Sequence, residues 1–155
     1  MVGGGEAPHE VCRAAEVVGA ALARGGAVVV CGGLGGVMEA ACRGARGEGG
    51  TTVAVLPGDD RRAANPFAEV AVATGMGEAR NAVVVRTADA VVALAGEFGT
   101  LSEIALALRL DKPVVGLSTW ELALGGRAVE AVVRVDDPEQ AARLALELAR
   151  AQTTG

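Results

Sequence analysis

The chain has 155 residues, a length suited to one domain that buries its own core. It is 51% hydrophobic, yet no uninterrupted apolar run reaches the roughly 18 to 20 residues needed to span a bilayer, and Met1-Val2-Gly3-Gly4-Gly5-Glu6 lacks the basic and apolar segments of a signal peptide. A net charge of −5, a single lysine (Lys112) and only three aromatic residues (Phe67, Phe98, Trp120) argue against a basic nucleic-acid surface or a base-stacking platform for single strands.

In chain order, valine-rich apolar runs alternate with amphipathic segments. Val2 belongs to a stub of first strand. From Pro8 to Arg24 the residues Val11, Ala14, Ala15, Val18 and Leu22 recur at helical spacing, and Gly25-Gly26 ends the helix. The runs 27–31, 51–56, 90–94 and 113–117 are short and continuous, as in strands covered on both faces. Weaker strands are expected at 69–73 and 131–135. Helices are expected at 100–110 and from about Asp137 to Ala151. Strict alternation predicts right-handed crossovers and a Rossmann-like, doubly wound, mainly parallel α/β sheet with helices on both faces. No composition shift divides the chain, so a single domain over 1–155, cytoplasmic and without a membrane or nucleic-acid partner, is the expectation.

Three strand-to-helix segments carry the candidate chemistry. The first is Cys31-Gly32-Gly33-Leu34-Gly35-Gly36-Val37-Met38-Glu39. Glycines after a strand let the backbone turn sharply and bring helix N–H groups close to a phosphate; the bland reading is a turn that only packs helix on sheet. It is neither G-x-G-x-x-G nor a P-loop. The second is Ala95-Gly96-Glu97-Phe98-Gly99-Thr100-Leu101-Ser102-Glu103. Its glycines repeat the phosphate logic, while Thr100-x-x-Glu103 reads as a capping box whose glutamate orders the helix start. The third is Gly75-Met76-Gly77-Glu78-Ala79-Arg80-Asn81. An arginine just inside a helix start is unfavourable beside the macrodipole, so pairing with a ligand phosphate, or with a carboxylate such as Glu103, is expected. The polar loop 57–66 leaves a strand at the same edge, and its Arg61 and Arg62 read as solvated.

Cys12, Cys31 and Cys42 with one histidine, His9, make no zinc site, and no metal is expected. Cys31 reads as a small core residue.

These three motifs, in this order, resemble the SLOG superfamily over roughly Pro8 to Leu117. Within it the chain is similar to small bacterial proteins related to molybdenum cofactor carrier proteins. It also resembles the Lonely Guy phosphoribohydrolases, whose signature reads P-G-G-x-G-T-x-x-E. Gly96, Gly99, Thr100 and Glu103 fall on signature positions, and Arg80 falls where those enzymes carry a catalytic arginine. Ala95 replaces the signature's proline. Glu97 replaces its second glycine, where a carboxylate would repel a 5′-phosphate.

The resemblance implies a homodimer or larger assembly. It also implies a phosphorylated ligand, either nucleotide-like or of pterin type, with molybdenum cofactor the named candidate and no other cofactor required. The binding residues expected are Gly32, Gly33, Gly35, Gly36, Met38, Glu39, Gly75, Gly77, Arg80, Asn81, Gly96, Glu97, Phe98, Gly99 and Thr100. The alternative is a nucleoside 5′-monophosphate phosphoribohydrolase releasing free base and ribose 5-phosphate, with Arg80 anchoring substrate and Glu103 stabilising charge at the sugar or activating water. A pyridoxal-dependent lysine decarboxylase is excluded, because Lys112 lies at a strand entry before Pro113.

Overall fold

The computed structural model describes residues 1–153. The chain runs β1 (Val2–Gly3), α1 (His9–Arg24), β2 (Val29–Cys31), α2 (Gly36–Gly47), β3 (Thr52–Leu56), β4 (Val70–Ala73), α3 (Asn81–Thr87), β5 (Val91–Leu94), α4 (Phe98–Arg109) and β6 (Val114–Leu117). A hairpin of β7 (Ala123–Leu124) and β8 (Arg127–Ala128) precedes β9 (Val132–Val135) and α5 (Pro138–Thr153). The strands expected from valine runs all form, shortened by a residue or two at their ends.

Parallel strands pair in two sets, β1-β5-β6-β9 and β2-β3-β4. They meet where the Met1 ammonium donates to the Val30 carbonyl at 2.8 Å. From β1 the chain builds outward through β2, β3 and β4, then returns to place β5 on the other side of β1. That reversal makes the fold Rossmann-like and doubly wound, and opens a crevice at the strands' carboxyl ends.

The period of two along each strand sorts the core into two layers. Val92, Leu94, Val115, Leu117 and Val135 face α1, α2 and α5. Val91, Ala93, Val114 and Val132 face α3 and α4, together with Val84, Val85, Ile104 and Ala107. On the first layer α1 crosses α2 with backbone touching backbone. A Cβ at Gly44 would lie 1.9 Å from the Glu16 carbonyl oxygen, and one at Gly19 would lie 2.0 Å from that of Ala41.

Two local features depart from expectation. The β7–β8 hairpin is antiparallel and turns on Gly125 and Gly126, both at positive φ (58° and 79°), the conformation of a two-residue I′ turn. In addition β1 is so short that β2 and β5 flank a cavity of about 430 Å³ below Met1, lined by Val28, Val30, Val53, Ala90, Val92 and Leu146. No helix among the described residues is long and apolar enough to cross a membrane.

Candidate functional site

The crevice holds a cleft of about 610 Å³, within the usual range for a small-molecule site. Three loops and two helix starts line it: Gly3–Gly5 at the end of β1, Gly32 and Leu34 after β2 with Met38 of α2, Pro57 after β3, the entry to α3 from Glu78 to Asn81, and the start of α4 up to Glu103.

Arg80 is its centre. It ends a one-turn 3-10 segment, Gly77–Arg80, at the N-cap position of α3. It is only 8% exposed, a buried cation rather than a surface one. Its Nη1 donates to Asn81 Oδ1 at 2.5 Å and lies 3.9 Å from Glu103 Oε1. Nε is buried with no hydrogen-bond partner among the described residues, a cost that a bound ligand reaching it would offset. Glycine at 32 makes room for this side chain, since a Cβ there would lie 2.6 Å from the guanidinium nitrogens.

Glu103 is 6% exposed and rises from α4 toward Arg80. Burial pushes its carboxyl up from 4.5 to about 7, against the opposing pull of the Met1 ammonium and Arg80. It therefore exchanges a proton near neutrality. The capping box is a correction: the N-cap of α4 is Glu97, with no side-chain cap, which places Thr100 and Glu103 inside the helix. Starting the helix two residues earlier than expected turns Glu103 from an end-capping group into a cleft group. Thr100 is buried instead under Gly96, whose φ of 103° and missing Cβ are required because a methyl there would sit 2.3 Å from Thr100 Oγ1.

Of the expected binding residues, Gly32, Met38, Arg80, Asn81, Glu97, Phe98, Gly99 and Thr100 line the cleft together with Glu103. The others lie outside its lining, each with a packing role. Gly33, at φ 78°, accepts from Asn65 N (2.9 Å) through its carbonyl. Gly35 and Gly36 lie against the carbonyls of Gly4 and Gly5, and Gly4 O accepts from Val37 N at 3.1 Å. Part of the N-terminus of α2 is thus satisfied by the chain itself. Glu39 faces Arg43 at 3.8 Å. Gly75 and Gly77 donate to Gly58 O and Pro57 O, both at 2.9 Å, tying the loop after β4 to the loop after β3.

The glycines after β1 are cleft residues that sequence reasoning passed over. A Cβ at Gly3 would lie 2.5 Å from Val37 Cγ1, so the tight packing of β1 on α2 demands glycine there. The signal was present as three consecutive glycines after an apolar residue. Arg62 grips Asp60 through Nε and Nη2 and stays exposed, as expected of that loop. Cys31 and Cys42 are both fully buried, their sulfurs 3.5 Å apart, and Cys31 Sγ accepts from Gly33 N at 3.4 Å. The hydrogen bond with Cys42, helped by the Gly33 N–H, draws the Cys31 thiol down, and the bond to Cys31 together with burial pushes Cys42 up.

Comparison with known proteins agrees with this architecture. A molybdenum cofactor carrier protein of Chlamydomonas reinhardtii superposes with a TM-score of 0.82 and 32% identity, over 97% of this chain and 95% of its own. The molybdenum cofactor binding protein of Rippkaea orientalis superposes with a TM-score of 0.77 and 32% identity, over 90% and 87%. An uncharacterized protein of Archaeoglobus fulgidus is 43% identical over 130 residues, 84% of this chain and 85% of its own length. The model of the SLOG cluster4 family matches residues 1–146, and the chain belongs to that family.

Proposed function

We propose that the cleft binds a phosphorylated small molecule, nucleotide-like or of pterin type, as a carrier or store rather than as a reactant. The observation that carries this reading is Arg80: a nine-tenths buried guanidinium with an orphaned Nε, lining a cleft at the switch point of a doubly wound sheet. The similarity to molybdenum cofactor carrier and binding proteins makes molybdenum cofactor the first ligand to test. Its phosphate suits Arg80 and the open N–H groups of α4, and its pterin suits the cleft's apolar wall of Leu34, Met38 and Phe98. The test is mass spectrometry of small molecules released from the purified protein, with melting curves against AMP, GMP and a pterin monophosphate. A bound phosphorylated heterocycle, or a melting temperature rising with its concentration, is expected. An unchanged melting temperature across the panel refutes the reading.

One observation favours hydrolysis as a second reading. Glu103, titrating near 7 beside Arg80, holds a proton in the range a general acid or base needs. In that case AMP, GMP, CMP, UMP or IMP is split to free base and ribose 5-phosphate, and Glu103→Gln abolishes the release. Binding without release leaves the carrier reading standing.

A further inference from the structure

The chain has three aromatic residues, and two of them meet at the lip of the cleft. Phe98 opens α4 and is 79% exposed, although a phenyl ring is among the side chains whose burial stabilises a fold most. It is not a loose side chain. Trp120, half-buried in the segment after β6, lies against it with ring centroids 5.6 Å apart and planes at 38°. The indole N–H donates to the Glu97 carbonyl at 3.2 Å, which ties Trp120 to the turn that carries Phe98. The protein thus braces a phenyl ring from one side and leaves most of it uncovered.

We infer that Phe98 is the stacking platform for the ligand's planar heterocycle, so that the site selects an aromatic ring bearing a phosphate over a plain sugar phosphate. The inference rests on the proposed ligand-binding function and assigns one residue of it to ring recognition. Five residues separate Phe98 from Glu103, about 7.5 Å along the axis of α4. Arg80 stands 3.9 Å from Glu103. Phe98, Glu103 and Arg80 line the same cleft, so one ligand can present a ring to the first and a phosphate to the last. Stacking on an aromatic face tolerates any flat ring, so purine and pterin both satisfy it. The other large exposed apolar side chains, Val17, Val28, Val70, Val72, Met76, Leu124 and Val133, lie outside the cleft lining.

Trp120, the sole tryptophan, reports on this contact by its emission. The wild-type protein is titrated with AMP, a pterin monophosphate and ribose 5-phosphate, by Trp120 fluorescence and by calorimetry. Expected are a change of emission with AMP or the pterin, and affinity for one of them about tenfold or more above that for ribose 5-phosphate. Phe98→Ala should reduce heterocycle affinity to the sugar-phosphate level while leaving ribose 5-phosphate binding unchanged, and Phe98→Tyr should retain it. The exposed position keeps Phe98→Ala folded, which its melting curve checks. Equal affinity for all three ligands in wild type, or no loss in Phe98→Ala, overturns the stacking role and leaves the binding function standing. A fall in oligomeric state on Phe98→Ala with ligand affinity intact makes Phe98 a subunit contact and also overturns it. If neither heterocycle binds, the function itself fails and the inference with it.

Discussion

Glu103 ties stability to pH in a way that one substitution isolates. Its carboxyl is raised because burial disfavours the charge more than Arg80 and the Met1 ammonium favour it. The rise from 4.5 to about 7, at about 1.4 kcal/mol for each tenfold in proton affinity, makes ionised Glu103 cost the fold about 3 kcal/mol. The sign follows from proton counts. Between 4.5 and 7 the folded chain keeps a proton that the unfolded chain releases, so stability falls as pH rises through this window and levels off above it. Below 4.5 both states hold the proton and the group contributes nothing. Glu103→Gln removes this titration and keeps the shape. The attraction of Glu103 to Arg80 at 3.9 Å exists only for the ionised carboxyl and is already contained in the raised value, so it adds no separate pH dependence. Urea unfolding of both proteins at pH 4.5, 6, 7 and 8 gives two stability curves, and their difference cancels the titrating groups that do not interact with Glu103; the Met1 ammonium, which does, stays in the difference as part of the same coupled titration. Wild type should lose about 3 kcal/mol relative to Glu103→Gln between pH 4.5 and 8. Parallel curves would refute the raised carboxyl.

Three further predictions test the packing. Gly44→Ala places a methyl 1.9 Å from the Glu16 carbonyl oxygen, so the overpacking cost, about 3 kcal/mol or more, outweighs the ~1 kcal/mol gained in helix propensity; a denaturant midpoint at or above wild type would contradict the close α1–α2 crossing. Ala95→Pro restores the proline of the phosphoribohydrolase signature, yet Ala95 has φ 48° and its N–H donates to Leu117 O at 3.2 Å. A proline ring allows neither, so a loss of about 3 kcal/mol or more is expected by the same measurement. Appending three or four alternating valines ahead of Met1 should extend β1 alongside Val92 and Val91 into the cavity between β2 and β5. It should raise stability by roughly 1–3 kcal/mol, since apolar surface is covered and an ammonium lowered by burial becomes an amide; an unchanged melting temperature would show that the cavity does not accept a strand.

The sheet was legible because its strands are buried on both faces and so read as unbroken runs, and their short length and β-branched valines point to strand rather than buried helix. Arg80 was legible through a contradiction: a cation at a helix start needs a partner, and Glu103 is there. The capping box misled because Thr100-x-x-Glu103 has the right spacing, but Phe98 and Gly99 already begin the helix, and no local pattern shows which of two adjacent turns starts it. The glycines at 33, 35 and 36 were legible as a tight turn, but their purpose depends on what approaches them. The neighbours are Asn65 and the Gly4 and Gly5 backbone, distant in sequence and brought there by the sheet. The hairpin at 123–128 was missed although Gly125-Gly126 marks it, because two-residue strands carry no periodicity.

With Gly35 and Gly36 packed on the first strand's exit, the charge of the cleft decides how an anion enters. Arg80 and the Met1 ammonium face Glu78, Glu97 and Glu103, so the lining is not the positive pocket a dianion usually meets. Glu78 and Glu97 are exposed and solvated, whereas Glu103 is buried and its charge is felt strongly. A phosphate that engages Arg80 repels the Glu103 carboxylate and competes for the guanidinium beside it, and both effects favour protonated Glu103. Binding should therefore take up a proton: calorimetry at pH 7.5 in buffers of different ionisation enthalpy should show uptake of a fraction of a proton to one proton per site. Affinity should weaken as pH rises above about 7, by at most tenfold for each pH unit. Glu103→Gln should bind with no proton uptake and with affinity flat over the same range, apart from the phosphate's own titration. Uptake that persists in Glu103→Gln would place the proton on the ligand and leave Glu103 a bystander to the anion.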